Sequence, residues 1–157
     1  MKFTLFNIGK TDISYIRQGI DDYQKRIGHF IDFTIIDLPE IKQTKNFSPE
    51  LIRQKEGELL IKNLNKIDIC ILLDEKGAEY NSRGFSDFLK KILNQGGKHI
   101  GFVIGGAYGF SEQVYKLAHF EISLSKFTFT HQMVRLIFVE QLYRAFTILK
   151  GIPYHND

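Results

Sequence analysis

A chain of 157 residues with net charge +3 and pI near 8.9 is expected to form one domain spanning residues 1–157, burying roughly two thirds of the surface its unfolded chain exposes. Its mild basicity permits contact with nucleic acid without requiring it. The single cysteine, Cys70, excludes an intrachain disulfide, and no apolar run approaches a membrane span.

The N-terminal apolar stretch is interrupted by Thr4 and Asn7 and is too short for a signal peptide, so the cytosol is the expected compartment. Lys2 to Ile8 forms a first predicted strand, stopped by Gly9. Ile13, Ile16, Ile20, Tyr23 and Ile27 then recur at steps of three and four, which lines one face of a helix that Gly28 ends. Phe33 to Leu38 is a second strand. Pro39 to Phe47 is a polar connection and the candidate mobile loop, after which Ser48 and Pro49 supply the cap and first turn of a helix to about Leu64.

Ile67 to Leu73 is almost continuously apolar, as in a strand covered on both faces, and Cys70 inside it fits a small buried hydrophobe rather than a nucleophile. Asp74 to Tyr80 is a polar connection. Ser82 is the expected cap of a helix with Phe85, Phe88, Leu89, Ile92 and Leu93 on one side, closed by Gly96 and Gly97. Ile100 to Ile104 is the next strand. Gly105, Gly106 and Gly109 break it, and Ser111 caps a helix from Glu112. A last strand-like run, Phe120 to Phe129, leads into a helix from His131 to about Lys150, and Pro153 then keeps the tail from continuing it. Strict alternation of strand and helix predicts an α/β fold, a mainly parallel sheet covered by helices on both faces.

Strand ends followed by glycine turns and helix starts are where such sheets bind ligands, which points to residues 73–76, 104–109 and 124–131. The glycines match neither G-x-G-x-x-G nor the P-loop, and the nearest nucleophile elbow, around Ser111, lacks its closing glycine. Five scattered histidines beside one cysteine give little support to a zinc site. His131 opens a helix, where the dipole disfavours its cation and leaves a neutral imidazole able to accept a proton. Glu140 and Arg144, four apart, can pair within a helix whose apolar residues run almost all the way round. That pattern calls for a cover on the second face, and a second copy of the chain is its natural source.

Lys55-Glu-Gly-Glu58, Leu73-Asp74, Ile104-Gly-Gly106 with Gly109, Leu124-Ser125 with Thr128, His131-Gln132, Arg135, Glu140-Gln-Leu-Tyr-Arg-Ala145 and Tyr154-His155 together carry a resemblance. Over essentially its whole length the chain resembles the small SPOUT-class methyltransferases that modify a pseudouridine of bacterial large-subunit ribosomal RNA. The resemblance implies a C-terminal trefoil knot and S-adenosylmethionine held in bent form by the knot loops, here Leu73, Gly105, Leu124, Ser125, Lys126, Phe127, Thr128 and Phe129. It also implies a homodimer with active sites near its interface. The implied substrate is 23S rRNA within the 70S ribosome, methylated at N3 of a pseudouridine in helix 69.

Candidate catalytic residues are His131, Arg135, Glu140, Arg144, Tyr154 and His155, among which the general base stays open; no metal is called for. The tail ends Asn156-Asp157, where the family commonly has a basic residue, so Lys126, Lys150 and Arg135 are the candidates for holding RNA phosphate. A non-catalytic ribosome-binding factor with the same fold is the alternative. A flavodoxin-like nucleotide binder would need a phosphate turn after the first strand, and Gly9-Lys10-Thr11-Asp12 is too plain for one.

Overall fold

In a computed structural model, which describes residues 1–42 and 45–156, five strands and five helices alternate along the chain. They are β1 (Lys2–Ile8), α1 (Ser14–Ile27), β2 (Asp32–Leu38), α2 (Pro49–Leu64), β3 (Ile69–Glu79), α3 (Ser82–Asn94), β4 (His99–Ile104), α4 (Glu112–Leu117), β5 (Phe120–Ser123) and α5 (His131–Lys150). The sheet is parallel throughout, with strand order β2-β1-β4-β3-β5. The expected mobility of residues 39–47 includes Gln43 and Thr44, which lie outside the described residues.

Alternating side chains of the inner strands feed two cores, one on each face. Phe3, Leu5, Ile71, Ile100 and Phe102 meet α1, α3 and α5, while Phe6, Ile8, Cys70, Leu72 and Val103 meet α2 and α4. Phe102 anchors the first core between Phe3, centroid to centroid 5.6 Å, and Phe138 of α5 at 4.9 Å. Each such ring contributes about 1.5–3 kcal/mol by leaving water. Cys70 belongs to the second core, and burial pushes its thiol up to about 11, as expected of an unreactive hydrophobe.

Local chemistry explains most boundaries. Ser48 Oγ accepts the Leu51 amide at 3.1 Å ahead of Pro49, and Ser111 Oγ accepts that of Val114 at 3.4 Å. At α3 the expectation was wrong by one residue. Asn81, not Ser82, is the cap and takes the Gly84 amide at 2.8 Å, whereas the Ser82 hydroxyl donates to Gln141 of α5 at 2.9 Å.

Two strand predictions also need correction. β3 does not end at Leu73 but continues through the polar residues to Glu79, because after a register shift between Leu73 and Ala78 it pairs again with β5. The run from Phe120 stops as a strand at Ser123. There Ser123 Oγ donates to the Ser125 carbonyl at 3.2 Å and Ser125 Oγ accepts the Phe127 amide at 3.0 Å, so local side-chain bonds replace the ladder.

The renewed pairing of β3 with β5 sets where the following loop begins, and it depends on Gly77. A Cβ there would lie 2.4 Å from the Ile122 backbone nitrogen, closer than any real contact. Gly77→Ala should therefore push β5 outward and cost about 1–3 kcal/mol, the usual price of overpacking. Urea unfolding of the variant would show this as a lowered midpoint, and an unchanged midpoint would mean that β5 has room to move.

Candidate functional site

The middle of β3, where its register shifts, and the C-terminal ends of β4 and β5 surround a cavity of about 660 Å³, within the usual range for small-molecule sites. Its wall comes from residues 73–76, 104–110 and 123–129, joined by Arg53, Tyr115, His131 and Val134. Lys126 is absent from that wall. These are nearly the three segments expected from the strand ends and glycine turns. Leu73, Gly105, Leu124, Ser125, Phe127, Thr128 and Phe129 all line the cavity. Lys126 instead points outward, 84% exposed and 4.0 Å from Glu79. The Phe127 ring, at 82% exposed, stands at the rim.

The wall is chemically mixed. Leu73, Ile104, Phe110 and Val134 give apolar surface, and Asp74 is fixed by the Tyr115 hydroxyl and by the Lys76 amide at 2.8 Å. Burial and the bond to Asp74 push the Tyr115 phenol upward, so it acts as a donor. The glycine turn closes on itself through the Gly109 amide and the Gly106 carbonyl at 3.1 Å. A Cβ on Gly105 would meet the Phe110 ring at 3.0 Å, so a side chain there must displace part of the cavity wall.

The remaining candidates lie elsewhere. Glu140 Oε1 accepts from the Arg144 guanidinium and from the Tyr154 hydroxyl at 3.0 Å. Arg144 Nη1 is 3.3 Å from His155 Nδ1, and the guanidinium sits 4.7 Å from the centre of the Tyr154 ring. Tyr23 of α1 completes the group through a 3.0 Å contact between the two phenol oxygens. Burial and these neighbours raise the Tyr154 phenol, while the bond to Glu140 strengthens the Arg144 cation. The tail is thus held rather than frayed. None of its residues, nor Glu140 or Arg144, lines the cavity; the nearest cavity residue on α5 is Val134, six positions before Glu140, about 9 Å along a helix axis.

Arg135 joins neither group. It is 1% exposed, with Nη1 donating to Thr11 Oγ1 at 2.9 Å and Nη2 to the Ile8 carbonyl at 2.6 Å. Burial lowers its pKa, and the fields of Asp37, Asp12 and Glu40 oppose that. A side chain so enclosed cannot grip RNA phosphate, which corrects the expectation for Arg135. Its neighbour Gln132 does similar work. Its Oε1 accepts the amides of Asp12 and Ile13 at 3.1 and 3.0 Å, where α1 has no capping side chain of its own, and its Nε2 donates to Asp12 at 2.6 Å.

A second cavity, of about 610 Å³, lies across the Gly106–Tyr108 segment and shares His131 with the first. Its least expected member is Glu56, only 5% exposed. Glu56 interrupts the stripe Ile52, Leu60 and Leu64 at helical spacing, a signal that was available in the sequence. Among the described residues no group of three or more His, Cys, Asp or Glu is placed to hold a metal ion, and no helix is long and apolar enough to cross a membrane.

Comparison with known proteins bears on the same residues. The family model described as "Predicted SPOUT methyltransferase" matches residues 1–155. A protein of Parabacteroides distasonis named ribosomal RNA large subunit methyltransferase H is 51% identical over 157 residues, spanning 100% of both chains. A protein of the same name from Flavobacterium johnsoniae is also 51% identical over 157 residues and 100% of both. A probable methyltransferase from Bordetella pertussis shares the fold with TM-score 0.55 at 11% identity, over 92% of this chain and 95% of that one. A probable methylase family protein from Haemophilus influenzae gives 0.53 at 13%, over 95% and 66%.

The burial of Arg135 generates a direct test. Arg135→Ala leaves the Ile8 carbonyl unpaired and opens a cavity, so it should cost about 3 kcal/mol or more in denaturant unfolding. Lys126→Ala, on an exposed side chain, should stay within about 0.5 kcal/mol of wild type. Equal stability of the two variants would contradict the placement of Arg135.

Proposed function

The chain belongs to the SPOUT methyltransferase family, and from that premise we propose that it methylates large-subunit ribosomal RNA, using S-adenosylmethionine, at N3 of a pseudouridine in helix 69 of assembled ribosomes. The observation that carries this reading is the cavity between the middle of β3 and the ends of β4 and β5, built from all the residues the resemblance assigns to the cofactor except Lys126.

The chemistry of the wall suits that cofactor. Leu73, Ile104, Phe110 and Val134 offer apolar surface to a flat purine, the backbone of residues 105–108 and 124–129 offers amides and carbonyls, and Asp74 and Glu75 offer acceptors for hydroxyl or ammonium groups. When bound, S-adenosylmethionine supplies a methyl group already activated by a sulfonium centre. What the protein must add is removal of the weakly acidic imide proton and stabilisation of the resulting anion. Two sets of groups can do this. His131 stands on the cavity rim, and Glu140, Arg144, Tyr154 and His155 form one cluster.

That cluster lines neither cavity of its own chain, and a second subunit is its route to one. Half-buried Ile137 and Ile148 share the outward face of α5 with the Glu140–Arg144 pair, and such a face suits an interface between two copies. We therefore assign a homodimer whose sites combine the cavity of one subunit with the tail of the other. Lys126 and Lys150, both exposed, are the cations left to approach RNA phosphate.

Labelled S-adenosylmethionine incubated with ribosomes lacking the modification should yield labelled large-subunit RNA, and a folded enzyme that transfers nothing would contradict the function. Light scattering should give a mass about twice 18.3 kDa; a monomer at micromolar concentration would remove the composite site. Deleting residues 154–157 should lower turnover by about 10²-fold or more, the scale of a positioned proton-transfer group, while calorimetric cofactor affinity stays near wild type. Loss of affinity instead would place the tail at the cofactor.

A further inference from the structure

The second cavity lies where the sheet changes direction. β1 and β4 are neighbours, yet the helix after β1 packs on one face and the helix after β4 on the other. A crevice opens at the carboxyl ends of such a pair, and open α/β sheets bind ligands there. Here it is walled by the Gly9–Lys10 turn, Asp12, Asp37 and Glu40, and by Glu56 from below. It meets the first cavity along Gly106, Ala107, Tyr108 and His131.

The polar groups in this wall are not equivalent. Asp12 is taken by Gln132 at 2.6 Å and Asp37 by the Asn7 amide at 2.9 Å. Glu56 is buried, and its Oε2 has no hydrogen-bond partner. Its carboxyl is pressed against Gly106, where a Cβ would stand 2.4 Å from either oxygen. An acceptor shut away from water without a donor costs free energy unless something else supplies the donor. Four carboxylates against Lys10 would repel a phosphate, so the occupant brings a neutral, N–H-bearing edge and keeps its backbone outside. A nucleobase turned out of its stack has that character, and a crevice of about 610 Å³ has room for one. Tyr108, an exposed ring on the shared wall, gives it a surface to stack on.

We infer that this cavity receives the target base and that Glu56 reads its N1–H, the donor by which pseudouridine differs from uridine. The inference rests on the ribosomal RNA reading above. Direct transfer needs the acceptor nitrogen to face the methyl donor with nothing between them, which requires the base to reach the first cavity where the two adjoin, along residues 106–108 and His131. N1 and N3 flank the same ring carbonyl. One can therefore face Glu56 while the other faces the adjoining first cavity. Glu56 is a specificity-determining residue on this account, separate from the groups that take the N3 proton.

The test compares ribosomes carrying pseudouridine with ribosomes carrying uridine at the target position, scored as kcat/KM for methyl transfer. A hydrogen bond to a charged acceptor gives wild type a preference of about 10-fold or more for pseudouridine. Glu56→Leu should bring the two substrates within about threefold of each other, chiefly by loss on pseudouridine, while Glu56→Gln, which keeps an acceptor oxygen, retains most of the preference. Cofactor affinity and thermal midpoint of Glu56→Leu should match or exceed wild type, because a buried carboxyl oxygen without a partner has been removed. Deletion of residues 154–157 should lower both substrates equally. Undiminished preference in Glu56→Leu, equal loss on both substrates, or no preference in wild type would each overturn the inference. Failure of wild type to methylate either ribosome would instead overturn the ribosomal RNA reading itself.

Discussion

The rest of the structure depends on a bolt between the two ends of the chain. Gln132 and Arg135, in the first turns of α5, hold the turn that joins β1 to α1 through the Asp12 and Ile13 amides, the Asp12 carboxylate, Thr11 and the Ile8 carbonyl. α1 has no capping side chain of its own, so the last helix supplies polar partners where the first helix starts. Charge-assisted bonds in a buried setting have few alternatives, since neither the Ile8 carbonyl nor the guanidinium can turn to water. This bolt fixes where His131 stands, and with it the boundary between the two cavities.

From that fixed point α5 acts as a spacer. Its first turn borders the cavities, while its middle carries Glu140 and Arg144 and receives the folded-back tail, with Tyr154 between Tyr23 and Tyr143. Glu140, Arg144, Tyr154 and His155 line neither cavity of their own chain, so chemistry that needs both cluster and cavity can draw them from two chains. The partly covered apolar residues Ile137 and Ile148 lie on the helix face that carries this pair. One element thus sets the separation of two half-sites and offers the surface on which two copies can join them.

Much of this was legible in the sequence, for physical reasons that can be named. The nearly continuous apolar runs at Ile67–Leu73 and Ile100–Ile104 announced buried strands, and the caps at Ser48 and Ser111 fixed where helices start. The three wall segments of the first cavity followed from strand ends and glycines alone. What failed were positions decided by distant partners. Residues 74–79 are polar yet remain strand because β5 pairs with them, and the alternation after Ser123 dissolves because serine hydroxyls satisfy the backbone locally. Strand order has no local signature. Arg135 was grouped with catalytic candidates because type and helix position cannot distinguish a buried bolt from a working cation. Glu56, by contrast, could have been found, since a carboxylate in the stripe of Ile52 and Leu60 demands a reason.

The central claim is that each active site is shared between two chains, and mixed dimers test it most directly. One chain lacks residues 154–157; the other carries Gly105→Arg, whose Cβ would press on the Phe110 ring of the cavity wall. Each parent homodimer should be inactive. In the mixed dimer one intact cavity faces one intact tail, and methyl transfer to ribosomes should return to about half of wild type. A mixed dimer as inactive as its parents would show that tail and cavity work within one chain, and would contradict the account.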